Sequence, residues 1–125
     1  MDEKNIGKAV QKIQKIYTDG SGDGRMAWFN ESTGESWSGQ QSGLTNNEAE
    51  YLAIYNALKS TKSVDIEIIS DSKLVISQLK REYHIKVDRL RELFDKVQNL
   101  IRERELNVTF TWVHREQNKA GKYLG

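Results

Sequence analysis

The sequence predicts an α/β fold, a mixed sheet flanked by helices, in a single domain spanning residues 1–125. Three observations lead there. Leu106, Val108, Phe110 and Trp112 alternate strictly with polar residues, as a half-buried strand does. Thr45-Asn46-Asn47-Glu48 is a Ser/Thr-x-x-Glu capping box that opens a helix. Residues 64–70 change from alternating to wholly apolar at Ile68-Ile69, the pattern of a strand covered on both faces.

Taken in order, residues 1–14 form an extension leading into a first strand. That strand ends in alternating Ile16 and Thr18 and meets the glycine-rich turn that follows Asp19. Residues 25–30 and 35–41, separated by Ser32-Thr33-Gly34, read as two further strands of an antiparallel meander. The helix opened by Thr45 is expected to run to about Ser60. On a helical wheel Ala49, Ala53, Ile54 and Ala57 share one stripe with Glu50 in its middle, whereas Glu48 points nearly opposite. The strand over 64–70 stops at Asp71-Ser72. Residues 72–83 and 87–104 are expected to be helical, the second with Leu90, Leu93, Phe94, Val97, Leu100 and Ile101 at helical spacing. After the last strand, residues 113–117 form a loop and Asn118 caps a short terminal helix.

Composition narrows the function classes. Hydrophobic residues make up 37% and charged residues 30%, and no apolar run approaches the ~20 residues that cross a bilayer. The chain contains no cysteine, which removes disulfides and thiolate metal sites, and the N-terminal residues lack the apolar core of a secretory signal; a cytoplasmic location is the expectation. With 19 basic and 18 acidic residues the net charge is +1, so charge balance alone announces no nucleic-acid partner.

The chemistry sits in three acids. Residues just past the carboxyl ends of parallel strands gather in the crevice where α/β sheets bind ligands, and both Asp19 and Asp71 belong there. Glu50 joins them if its helix packs across the same edge, which its small alanines permit. Aspartate after a strand commonly serves only as a turn or cap residue, so neither Asp is diagnostic alone. Together, three carboxylates repel unless cations are present or some pKa values rise. An all-oxygen set suits hard Mg²⁺ or Mn²⁺, and two such ions about 4 Å apart promote in-line displacement at a phosphodiester.

Ile16-Tyr17-Thr18-Asp19-Gly20-Ser21, Thr45-Asn46-Asn47-Glu48-Ala49-Glu50-Tyr51 and Ile69-Ser70-Asp71-Ser72-Lys73-Leu74-Val75 resemble, in order, the three leading motifs of type 1 ribonuclease H. The resemblance covers nearly the whole chain from Lys15. It implies a ribonuclease H-like fold with a five-stranded sheet of order 3-2-1-4-5, and catalytic metals on Asp19, Glu50 and Asp71. It also implies cleavage of the RNA strand of RNA·DNA hybrids to 5′-phosphate and 3′-hydroxyl ends. Asn46 and Asn47 would contact the hybrid near the scissile step, and the turn at Gly20-Ser21 would approach the RNA strand. No protein partner is inferred.

The resemblance has gaps. The family's last motif, Asn-x-x-Ala-Asp-x-Leu-Ala, aligns with Asn118-Lys119-Ala120-Gly121-Lys122-Tyr123-Leu124-Gly125, which puts Lys122 where a fourth acid belongs. Related sequences with lysine at that place form a ribonuclease H-like branch. The loop Trp112-Val113-His114-Arg115-Glu116-Gln117 is shorter than the family version that carries a mobile histidine, and Arg115 is the better residue for a phosphate contact. Between Tyr83 and Val87 the chain leaves no room for the basic protrusion of many relatives, so it reads as a handle-less form. Two alternatives stay open: a catalytically weakened nucleic-acid binding module, and a nuclease of the wider superfamily acting on another structure such as a DNA junction.

Overall fold

The computed structural model describes residues 12–124. Its elements are β1 (Gln14–Gly20), β2 (Arg25–Asn30), β3 (Ser36–Gln40), α1 (Asn46–Ser60), β4 (Asp65–Ser70), α2 (Lys73–Leu79), α3 (Asp88–Glu103) and β5 (Asn107–Trp112). Short 3-10 turns follow at Arg115–Gln117 and Gly121–Tyr123. The strands form one five-stranded sheet of order β3-β2-β1-β4-β5, the order expected from the sequence. Strand β1 runs antiparallel to β2, with Asp19 opposite Ala27, and parallel to β4, with Ile16 opposite Ile68. Strand β5 adds parallel to β4. Of the N-terminal extension expected over 1–14, residues 1–11 lie outside the described residues and Gln14 already belongs to β1.

Helix α1 starts as its capping box requires. The Thr45 Oγ1 accepts from the Glu48 amide at 3.2 Å, and the Glu48 Oε1 accepts from the Thr45 amide at 3.0 Å. A cap of this kind stabilises a helix by about 0.5–2 kcal/mol. The helix lacks a strong one-sided apolar stripe because it is covered on more than one side. Ala49, Ala53, Ile54, Ala57 and Leu58 are buried in the core shared with the sheet and with Leu93, Phe94 and Val97 of α3. Helix α3, with one face in solvent, keeps the ordinary amphipathic pattern. At the far end of α1 the Arg104 guanidinium donates to the carbonyls of Leu58 and Thr61 at 2.7 and 2.8 Å, satisfying groups that a helix end leaves open.

The approach of α1 to the sheet is closest at Gly20. A Cβ placed there would lie 2.5 Å from the carbonyl carbon of Ala49 and 2.5 Å from the amide nitrogen of Glu50. Only glycine lets backbone pack on backbone at this separation.

Two elements are shorter than the sequence suggests. Helix α2 ends at Leu79 rather than near Tyr83, because Arg81 adopts a left-handed φ of 64°. The Glu82 amide then donates to Ser77 O at 2.8 Å and the Arg81 amide to Gln78 O at 2.9 Å, a Schellman closure in which arginine occupies the place glycine usually takes. The expected terminal helix is only the turn Gly121–Tyr123. Asn118 is not its cap, a place taken by Ala120 with no side-chain bond; instead its Oδ1 accepts from the Ala120 amide at 3.0 Å in the preceding turn and its Nδ2 donates to Thr18 O at 2.9 Å. That second bond ties the C-terminal turn to β1.

The Gly20 contact yields the first prediction. Gly20→Ala must push α1 off β1 and is expected to lower stability by about 1–3 kcal/mol, the usual range for overpacking, in urea melts monitored by circular dichroism. Gly22→Ala, whose Cβ meets nothing within 4 Å, is the control expected to change little.

Candidate active site

Each of the three acids reaches the site from a different element. Asp19 lies near the end of β1, where its Oδ1 accepts from the Gly20 amide at 2.9 Å. Glu50 comes from the second turn of α1, on the face that Gly20 admits to the sheet. Asp71 follows the last residue of β4 and is held by its neighbours. Ser72 N donates to Ser70 Oγ at 3.0 Å, Val113 N to Ser70 O at 3.0 Å, and the Trp112 Nε1 to Asp71 O at 3.2 Å.

One carboxylate oxygen from each of Asp19, Glu50 and Asp71 lies within 4.8 Å of the others. The sequence expected these acids to converge, and the structure brings them together. Asp19 is 1% exposed and Glu50 2%, so water does little to screen them. Burial pushes the Asp19 carboxyl up to about 6; the charge of Asp71 adds to this, while the Gly20 amide, Arg115 and a hydrogen bond with Glu50 oppose it. Burial likewise pushes Glu50 up to about 9, reinforced by the charges of Asp19 and Asp71.

The cluster fits a hard cation. The Glu50 Oε1 and the Asp71 Oδ2 are buried and, among the described residues, meet no hydrogen-bond donor. Buried carboxylate oxygens without a donor are rare and costly, and a divalent ion both satisfies them and removes the mutual repulsion. The donor set is all carboxylate oxygen, which suits ions of the magnesium and manganese type.

The other residues singled out in sequence spread around this centre. Asn46 and Asn47 lie in the first turn of α1, four and three positions before Glu50, and so on the same side of the helix. Asn46 is exposed, and Asn47 is half-buried at one end of a groove of about 560 Å³ that also touches Gln78, Tyr83 and His84. Ser21, beside Gly20, is fixed in its turn by donating through Oγ to Asp23 and through its amide to Arg25 O at 2.9 Å. Arg115 is exposed on the turn after β5; no hydrogen bond joins it to the acids, yet its charge lowers the pKa of both Asp19 and Glu50. His114 stands edge-on to the Trp112 ring, with centroids 4.6 Å apart.

Lys122 is exposed, and its Nζ lies 5.3 Å from the centroid of its neighbour Tyr123, whose ring stacks on Phe29. The structure therefore directs the ammonium toward this aromatic pair. The backbone beside it is nevertheless at the site, since a Cβ on Gly121 would sit 3.5 Å from Asp19 Oδ2. Sequence reasoning missed both the Gly121 contact and the reach of Asn118 to Thr18. The alignment of Asn118 and Gly121 with the last family motif was the available signal, and it points to the acid position rather than to these backbone contacts.

Over residues 17–124 the sequence matches the family described as reverse transcriptase-like. The chain belongs to the reverse transcriptase-like family. Among solved structures, this family member superposes on LC11 ribonuclease H1 in complex with an RNA/DNA hybrid, with a TM-score of 0.78 and 30% identity over 87% of this chain and 91% of that one. It superposes on ribonuclease H1 from the halophilic archaeon Halobacterium salinarum NRC-1 with a TM-score of 0.80 and 25% identity, covering 90% of this chain and 94% of that one. The fold is thus ribonuclease H-like. A curated relative, the uncharacterised protein YpeP of Bacillus subtilis strain 168, is 31% identical over 85 residues; the match takes in 64% of this chain and 38% of the relative, so the chain spans well under half of that protein. Among the described residues no helix is long and apolar enough to cross a membrane.

The raised carboxyl groups make a pH prediction for the metal-free protein. Unfolded, Asp19 and Glu50 lose their protons near the ordinary 3.8 and 4.5, whereas the folded protein holds them up to about 6 and about 9. Between those limits the folded state binds more protons, so stability is greatest below the unfolded values and falls as pH rises, by up to about 1.4 kcal/mol per pH unit for each group out of step. Thermal melts in chelator are expected to show Tm declining from about pH 5 to about pH 8.5, and Glu50→Gln should flatten the decline. Added Mg²⁺ or Mn²⁺ should raise Tm more at the alkaline end, where the acids bind it without first losing protons.

Proposed function

We propose that this chain is a metal-dependent endonuclease that hydrolyses the RNA strand of RNA·DNA hybrids, leaving 5′-phosphate and 3′-hydroxyl ends. The observation that carries this reading is the convergence of three carboxylates within 4.8 Å at the ends of two parallel strands, two of their oxygens buried without a donor. The likeness to a ribonuclease H1 that carries a hybrid supports the choice of substrate.

In this reading Asp19, Glu50 and Asp71 would hold Mg²⁺ or Mn²⁺. Bound there, such ions supply positive charge for the phosphodiester and make water a better nucleophile. The chain does the rest. The side-chain amides of Asn46 and Asn47, one turn before Glu50, present donors and acceptors to the groove edge of the hybrid, where a 2′-hydroxyl marks RNA. The Gly20-Ser21 turn brings backbone close to that strand. Arg115 is free to pair with a phosphate and is near enough to act on Asp19 and Glu50 through its charge. Burial of Asp19 and Glu50 keeps water from screening the attraction between a bound cation and these two groups. The short connection between Leu79 and Asp88 supports reading this as a handle-less form, whose grip on the hybrid should be salt-sensitive.

One observation favours a second reading, a nucleic-acid binding module with weakened turnover. Three acids form the cluster, and Lys122, which the family resemblance aligns with a fourth, keeps its ammonium over Tyr123. Incubation with labelled hybrid, double-stranded RNA, DNA duplex and DNA junction under Mg²⁺ and Mn²⁺ separates the readings. Cutting confined to the RNA strand of the hybrid supports the endonuclease; tight hybrid binding without cutting supports the module.

Asp19→Asn, Glu50→Gln and Asp71→Asn are each expected to reduce cleavage by roughly 100-fold or more while the protein stays folded, because each removes a ligand charge without changing volume. Glu48→Gln should be nearly silent, since Glu48 bonds the Thr45 amide and glutamine can do the same. Retention of near-wild-type activity by any one of the first three would defeat the assignment.

A second prediction concerns Lys122. Lys122→Asp is expected to restore a fourth acid beside Gly121 and lower the metal concentration for half-maximal cleavage by about 3–10-fold, as Coulomb repulsion becomes attraction. Lys122→Ala should fall between the two. Identical metal titrations for all three proteins would mean that the ammonium stays with Tyr123.

A further inference from the structure

Strand β5 is an edge of the sheet, paired on one side only, with β4. Its inner hydrogen bonds run through alternate residues: Asn107 N donates to Val64 O at 2.7 Å and Val113 N to Ser70 O at 3.0 Å. By that parity the backbone N–H and C=O groups of Val108, Phe110 and Trp112 point outward, and among the described residues none of them meets a backbone partner. Natural edge strands are usually blunted by a charge, a proline or a bulge. The sequence Asn-Val-Thr-Phe-Thr-Trp carries no charge and no proline, and its pairing with β4 is unbroken from Asn107 to Trp112.

Beside this edge, on the helix-covered side, lies a groove of about 560 Å³. Its floor is Leu79, Ile101, Leu106, Val108 and Phe110, and its rim carries Lys80 and Arg81. No carboxylate lines it, although at the rim the Lys80 ammonium lies 3.7 Å from the Glu82 carboxylate, an exposed pair that a bound carboxylate can displace. At the other end of the strand Trp112 is 38% exposed with the Lys73 ammonium 5.7 Å from its ring. The edge therefore offers three features together: outward main-chain groups, an apolar trough for alternate side chains, and cations at both ends.

We propose that β5 is a docking edge for an extended acidic peptide of a partner protein, added as a sixth strand. Main-chain bonds to Val108, Phe110 and Trp112 would hold the peptide. Apolar side chains on its inner face would fill the trough over Leu79, Ile101 and Leu106. A carboxylate near the end of the segment would face Lys80 and Arg81. Charge chooses this occupant over a second copy of the chain, because two copies joined edge to edge bring Lys73, Lys80 and Arg81 toward their own kind. The aliphatic floor also suits a peptide better than a nucleic acid, which needs a track of cations rather than a trough.

The test uses a short peptide of alternating valine and threonine ending in two aspartates, its counterpart ending in two lysines, and a single-stranded oligodeoxynucleotide, each titrated into the ¹⁵N-labelled protein. The acidic peptide should shift the amide signals of Val108, Phe110 and Trp112 and slow their exchange with solvent. The lysine peptide should bind at least about tenfold more weakly. Val108→Pro removes an outward donor without breaking a bond to β4 and should abolish binding. The double variant Lys80→Glu with Arg81→Asn, which leaves the strand untouched, should weaken the acidic peptide and improve the lysine one. The proposal is overturned if the two peptides bind alike, if the acidic peptide fails to saturate at millimolar concentration, or if its shifts lie away from β5. It is equally overturned if the oligonucleotide moves the same amides more strongly, or if the free protein dimerises through this edge.

Discussion

The contact between the backbone of α1 and Gly20 governs the geometry of the site. Because residue 20 has no side chain, the first turns of the helix settle directly on the end of β1, and Glu50 arrives beside Asp19 as a consequence of packing. The capping box fixes where the helix begins and hence which face meets the strand. Small alanines along that face allow the same close seat further down, so that a core of Ile16, Ile54, Leu58 and Ile68 closes behind the acids. A helix held one side chain's breadth further out would leave Glu50 in water.

The same closeness sets the electrostatics. Carboxylates buried together resist ionising, and the structure shows this in the raised values of Asp19 and Glu50. Such an arrangement works against the folded state unless something positive enters, and Arg115 meets the need only in part, through its charge and without a hydrogen bond. Folding has thus concentrated an unfavourable interaction at one point, where a cation converts it into binding energy.

Much of this was legible in the sequence because the signals were local. Thr45 with Glu48, the strict alternation up to Trp112, and an aspartate at the end of each of two strands act over a few residues, and they located the strands, the main helix and the three acids. The early end of α2 was hidden, because Arg81 takes a left-handed conformation that sequence reading reserves for glycine or asparagine. The role of Asn118 was hidden for the opposite reason. Its partner, the carbonyl of Thr18, is a backbone group that every residue possesses, so no residue type advertises the contact. The direction of the Lys122 side chain depends on the stack of Tyr123 on Phe29, two residues from opposite ends of the chain.

The bond from Asn118 to Thr18 joins residues 100 positions apart, and the turn it anchors lies against Asp19. A polypeptide leaves the ribosome N-terminus first, so β1 waits through the synthesis of nearly everything else described here before that turn can arrive. Until then Asp19 has one open side. The site therefore closes only after the rest of this domain has been synthesised. A chain released early, short of residue 118, would keep all three acids and lack the turn that closes over the first of them.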